Sequence, residues 1–220
     1  MHVGRWEKAV DAYLLPALGE GWRAADGHLV RGPVGWTAQT VVPLPPLRRR
    51  PTFKVEVIVW LLAVPRADGY TCSRQLEGVF PEPDTVAGYE PVMADIRDAM
   101  LREAVPFLDR YGDVDGFLTH RREREAREAE RGLTGPDIIA AEELAYLAVI
   151  RRDWEAALAA AAAAEEAAEL NRASPDPAPL EDEILERVRA VIALGPDGAR
   201  EALARNAAAT ATALSLPYDM

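Results

Sequence analysis

Between Phe53 and Val64 the chain reads as a strand that must be covered on both sides at one end. Phe53, Val55, Val57, Val59, Leu61 and Ala63 make one face apolar along its whole length. The other face starts with Lys54 and Glu56, then becomes Ile58, Trp60, Leu62 and Val64. Side chains alternate across a strand, so apolar residues on both faces leave water only inside a layered structure. The pattern therefore predicts a central strand with helices against it. Three other stretches can join it: His28 to Arg31, ending in a Gly32-Pro33 turn, Trp36 to Val42, and Thr71 to Val79 after a turn at Asp68-Gly69. In the second, Trp36, Ala38, Thr40 and Val42 point one way and Thr37, Gln39 and Val41 the other. Pro43, Pro45 and Pro46 remove backbone donors and should stop that strand, as Pro81 and Pro83 should stop the last.

Around these strands the spacing turns helical. Trp6, Val10, Tyr13, Leu14 and Ala17 predict an amphipathic helix over residues 4–18, ending at Gly19 and Gly21. Tyr89, Met93, Ile96, Met100, Ala104, Phe107 and Tyr111 form a second apolar stripe, with Pro91 suited to its first turn. Pro106 should break or bend that helix. Beyond Asp115 only helices are expected. A charged one runs from Arg121 to Arg131, with Glu123–Arg127 and Arg124–Glu128 four residues apart. Two hairpins follow, over residues 136–170 and 180–214, divided by the Ser-Pro-Asp-Pro-Ala-Pro linker at 174–179. Both carry Ala-Val-Ile before the turn and Ala-Leu after it, a faint internal repeat. The expected architecture is α+β. A small antiparallel sheet with packed helices spans residues 1–118, and an all-helical extension spans 119–220.

Four of the five tryptophans, Trp6, Trp22, Trp36 and Trp60, lie in the first sixty residues, and only Trp154 lies in the helical half. The charge is just as uneven. Residues 1–60 carry eight Lys/Arg against five Asp/Glu, whereas residues 121–220 carry twelve against twenty, within a net charge of −11. Such a chain is repelled by a phosphate backbone, so nucleic acid is not an expected partner. A basic protein meeting the later part is, unless the two oppositely charged regions serve only to attract each other. The single cysteine, Cys72, and an amino end interrupted by Arg5, Glu7, Lys8 and Asp11 point to the cytoplasm. The longest apolar segment, Val57 to Val64, is too short for a bilayer, so no membrane is expected.

Leu144-Ala145-Tyr146 followed by Arg152-Asp153-Trp154-Glu155-Ala156-Ala157-Leu158 resembles a tetratricopeptide-repeat hairpin. The resemblance implies paired helices held close by alanine and a tendency to bind peptides. Leu15-Pro16-Ala17-Leu18, Gly21-Trp22, His28-Leu29-Val30-Arg31, Gln39 and Phe53-Lys54-Val55-Glu56-Val57 resemble a second group. This is the bacterial family known as domain of unknown function 4304, over about the first half of the chain. The family usually has phenylalanine where Trp22 stands. It implies a small α+β fold and no activity, so no catalytic residue follows from it.

Chemistry-bearing residues are sparse. His2, His28 and His120 have no second ligand at metal spacing, so no metal and no cofactor is expected. Cys72 needs a base to become a nucleophile, and a buried strand cysteine is the simpler reading. Glu181, Asp182, Glu183 and Glu186 open a helix, where the dipole favours negative charge without any chemistry. No catalytic set is expected. Arg48, Arg49 and Arg50, held between Pro45-Pro46 and Pro51, make the best localised candidate for gripping a phosphate or carboxylate. Trp22, Arg31, Gln39, Trp60 and Tyr89 are candidates to line a pocket between sheet and helices, and Trp36 to stand partly exposed at a strand's start. The favoured reading is a non-enzymatic protein-binding module, of immunity or adaptor type. A small-molecule binder or enzyme using that pocket is the alternative, and self-association through Ala156 to Ala168 is a third.

Overall fold

The computed structural model describes residues 3–45, 51–65, 72–133, 135–173 and 179–218. The chain divides into two compact units. The first holds Met1–Trp60, Ala67–Phe117 and Ala211–Met220, and the second holds Leu61–Arg66 and Leu118–Thr210. The expected α+β class is what the chain adopts: a curled antiparallel sheet with helices, then helices alone.

In the first unit the order is α1 (residues 3–18), β1 (Trp22–Ala25), β2 (His28–Arg31), β3 (Thr37–Leu44), β4 (Thr52–Leu61), β5 (Cys72–Gln75), β6 (Phe80–Pro81) and α2 (residues 89–111). The strands lie in the order β1-β2-β3-β4-β5, and β6 also pairs with β4. β4 is thus central, and its burial follows its side-chain pattern. Lys54 is exposed and Glu56 half-buried, while every residue from Val57 to Leu61 is buried. Trp6 of α1 and Tyr89 of α2 pack against Phe53 of β4, with ring centroids 5.7 and 6.3 Å away, and Phe80 closes the cluster at 5.9 Å. Both helices therefore cover the face of the sheet that carries Phe53.

Three expectations about breaks need correction. Among the described residues the strand expected from Thr71 to Val79 covers Cys72–Gln75 alone, and a second short piece, Phe80–Pro81, runs through Pro81 instead of stopping before it. β5 pairs with Glu56–Val59 and β6 with Thr52 and Phe53, because Gly78 turns the chain between them at φ 115°. Pro43 does not stop β3 but lies within it. The pairing with β2 reaches only Val41, so no bond to that strand needs a donor from Pro43. Nor does Pro106 end its helix.

Both α1 and α2 pass through a proline by widening one turn. Val10–Leu14 and Met100–Ala104 are π-helical, and the residues just before Pro16 and Pro106 donate five residues back, Leu15 to Val10 O and Val105 to Met100 O. A proline's ring clashes with the carbonyl four residues earlier and leaves that carbonyl without its donor. A wider turn shifts the hydrogen-bond ladder by one residue at that point.

The second unit contains most of α3 (Val114–Glu130), then α4 (Ile138–Ile150), α5 (Trp154–Arg172), α6 (Pro179–Ile192) and α7 (Gly195–Ala213). Asp137 caps α4 by accepting the N–H groups of Ile139 and Ala140 at 2.9 and 3.2 Å. Asp153 caps α5 through Ala156 at 3.1 Å. Apart from Ile139 and Leu144, every residue of α4 is buried, so this helix is the core of the unit. α5 and α6 both pack on it. Where charge is buried it is paired: Glu142, fully buried on α4, accepts from Arg187 of α6 at 3.0 Å. At the surface, Arg189 of α6 grips Glu165 of α5 with two bonds, at 2.7 and 2.5 Å. No described helix is long and apolar enough to cross a membrane.

Candidate functional site

The sheet brings together three of the residues singled out in the sequence. The register sets Trp22 opposite Arg31 and Arg31 opposite Gln39, so the three stand side by side across β1, β2 and β3 on one face. The Arg31 guanidinium lies 5.8 Å from the Trp22 ring centroid. Its Nη1 donates to Asp109 Oδ1 at 2.6 Å and to Gln39 Oε1 at 3.5 Å. The end of α2 closes over this row. Gly112 sits directly against the Gln39 amide, with no room for a Cβ, and its carbonyl accepts the Thr37 hydroxyl at 2.7 Å. The row is thus an internally bonded cluster in which the arginine donates from Nη1 to two protein oxygens.

The other candidates lie elsewhere. Trp60 is on the opposite face of the sheet, buried, and donates its ring N–H to Thr40 Oγ1 at 2.8 Å. Tyr89 is fully buried in the Phe53 cluster, where burial and then Glu82 raise its hydroxyl pKa against the pull of Arg5. Trp36 is half-buried just before β3. Arg48, Arg49 and Arg50 fall outside the described residues, as do His2, the Asp68-Gly69 turn and the start of the 174–179 linker. Cys72 is buried on β5 opposite Val59, and β3 and β4 separate its strand from that of His28. Among the described residues no three His, Cys, Asp or Glu side chains gather where they could hold a metal ion.

A second site went unforeseen. In the second unit α4 forms the floor of a groove whose walls are α3 and α5. Two open cavities of about 350 and 320 Å³ lie along it, side by side, with Glu125 and Leu144 lining both. The floor is Ala140, Ala141, Leu144, Leu147 and Ala148. One wall is Ala156, Ala159, Ala160 and Ala163 of α5, and the other is Leu118, Arg122, Glu125, Glu128 and Ala129 of α3. Leu133 overhangs one end with 67% of its surface exposed. The four wall alanines follow helical spacing and are visible in the sequence. In a run that is almost wholly alanine, however, nothing marks one face as open.

Beneath the first cavity lies a buried cluster of paired charges. The Arg121 side chain is only 1% exposed and faces three carboxylates: Asp137 at 2.8 Å, Glu125 at 3.3 Å and Glu143 at 3.7 Å. Burial alone would lower its pKa, but Glu143, Asp137 and Glu125 together raise it. For Asp137, burial pulls upward and is outweighed by the Arg121 bond and the two helix N–H groups, so its pKa is lowered. One residue earlier, His120 is buried, and burial followed by the nearby Arg127 and Arg124 lowers its pKa, with Glu123 opposing. The arginine thus fastens the wall helix to the start of the floor helix. Breaking such a buried pair from one side leaves an uncompensated charge, which makes the attachment costly to undo.

No family model matches this chain, and no curated protein or solved structure does.

Proposed function

We propose that the protein is a non-catalytic binding module that holds a segment of a basic partner protein in the groove of its helical unit. The observation that supports this best is the groove itself: an apolar floor and a wall of alanine methyl groups, set in a half of the chain with twenty acidic against twelve basic residues. Ligand-sized concavities with apolar linings and a few placed charges are where proteins are bound or small molecules held. Of its charged groups, Arg121 is spent on Asp137 and Glu125, and Glu128 on Arg124, which makes a scaffold and not an acid–base pair aimed at a substrate. Masking a basic toxin and bridging two proteins as an adaptor are the roles that suit this size and charge. The cytoplasm is the compartment that suits a chain with one cysteine.

A small-molecule pocket between sheet and helices has less in its favour. Trp60 and Tyr89 are buried, Arg31 is bonded to Asp109, and Gln39 is packed on Gly112.

The test is affinity capture from the parent cell with the full chain and with Ala159→Glu. Ala159 is exposed on the groove wall, so the substitution puts a charge there without touching the core. A stoichiometric partner should be retained by the wild type and lost by the variant. It should also weaken as salt rises from about 0.05 to about 0.5 M. Absence of any stoichiometric partner at low salt, or equal retention by the variant, would overturn the proposal.

A further inference from the structure

We infer that Arg127 and Arg131, with Arg124 beside them, form a binding site for a dianionic phosphate group at the carboxyl end of α3. It is a separate feature from the groove, since neither Arg127 nor Arg131 lines either groove cavity. The three arginines follow one another at steps of three and four residues, so they stand on one face of the helix. An open cavity of about 320 Å³ lies among them, lined by Arg124, Arg127, Glu128 and Arg131.

Charge pairing decides what such a cavity takes. Arg124 donates from Nε to Glu128 Oε1 at 2.8 Å, whereas Arg127 and Arg131 are exposed and have no ion pair among the described residues. The negative end of the helix dipole favours cations here. It does not explain two of them without a carboxylate in a stretch that holds twenty acidic residues. Three guanidinium groups less one carboxylate leave two positive charges, matching a phosphate monoester near neutral pH. A carboxylate has two oxygens in one plane, enough for a single guanidinium fork. A terminal phosphate has three oxygens that point apart, so it accepts from two forks at once. The acidity of the chain does not exclude so small an anion. A nucleic-acid backbone meets the net charge of −11 as a whole, whereas one phosphate feels chiefly the charges within about 8 Å. His120 records the local field. Burial first, then Arg127 and Arg124, hold its pKa below the ordinary value, with Glu123 opposing and Arg121 adding to the fall. A dianion seated on Arg127 and Arg124 cancels their share and raises that pKa.

The probes are inorganic phosphate, sulfate and acetate, added to the full chain at low ionic strength and followed by NMR of the His120 ring. Phosphate above about pH 7 should give a saturable shift. Sulfate, a dianion throughout the titration of the histidine, should raise the His120 pKa. Acetate should bind about tenfold more weakly than phosphate. Arg127→Gln and Arg131→Gln, both at exposed positions, should each weaken phosphate about tenfold with an unchanged circular dichroism spectrum. Glu128→Gln releases Arg124 and should tighten phosphate severalfold. A shift that never saturates, or acetate that binds as tightly as phosphate, would overturn the inference. So would unchanged phosphate binding by the double variant Arg127→Gln/Arg131→Gln.

Discussion

Asp137 shows how much one side chain can hold. It closes the first turn of α4 through Ile139 and Ala140, and it anchors the buried Arg121 of α3. Asparagine can still cap a helix, so Asp137→Asn isolates the charge. At neutral pH the variant should be less stable by about 1–2 kcal/mol, below the value for a fully buried pair because Asp137 is 39% exposed and water screens it. The pH dependence has a definite sign. Asp137 titrates below its ordinary 3.8 when folded, so its contribution is complete above that value and is lost as pH falls through the folded pKa. Urea denaturation of both proteins should therefore show a gap at pH 7 that shrinks as the solution is taken well below about pH 4. A gap that persists or grows in acid would mean that the carboxylate charge is not what Arg121 needs.

The instructive elements are the two helices with widened turns. A proline in a regular helix interior costs about 3 kcal/mol, yet α1 and α2 each run through one. In both, the residue before the proline bonds five positions back, so the strain is taken up within a single turn. On this account Pro106→Ala gains little. Chemical unfolding followed by circular dichroism should show a stability change under about 1 kcal/mol. A gain approaching 3 kcal/mol would show that the ring still strains the helix. The alanines of α5 serve two neighbours at once. Ala157, Ala164, Ala167 and Ala168 are buried, while Ala156, Ala159 and Ala163 remain open on the groove wall.

For the molecule as a whole, the units are not simple halves of the sequence. The last residues, from Ala211, belong with the sheet unit, and residues 61–66, which follow the central strand's Trp60, belong with the helical one. Leu216 is buried and Arg23 of β1 reaches the Pro217 carbonyl at 3.5 Å. Leu216→Ala should therefore weaken the sheet unit by about 2 kcal/mol. Four of the five tryptophans belong to that unit, so fluorescence during urea unfolding reports chiefly on it. A midpoint unchanged by the substitution would show that the carboxyl-terminal segment contributes nothing there.

Periodicity by itself determined the class of fold, the central position of Phe53 to Val64 and the bounds of most helices. Each depends on hydrogen bonds and apolar spacing within a few residues. It also placed Arg31 and Gln39 on strands but missed the strand of Trp22, and the closure of the row by Asp109, 78 positions from Arg31, depends on where α2 lands. Arg121 reads as one more cation in a charged helix. It became a buried anchor only because Asp137 and Glu143 arrive from another helix. The end of β5 at Gln75, the separate pairing of Phe80–Pro81 and the widened turns before Pro16 and Pro106 were likewise settled by packing. The groove is the clearest case. Alanine carries almost no phase in a sequence, since every face of such a helix is equally small and apolar. Which face meets a neighbour and which meets water is decided only when distant helices take their places.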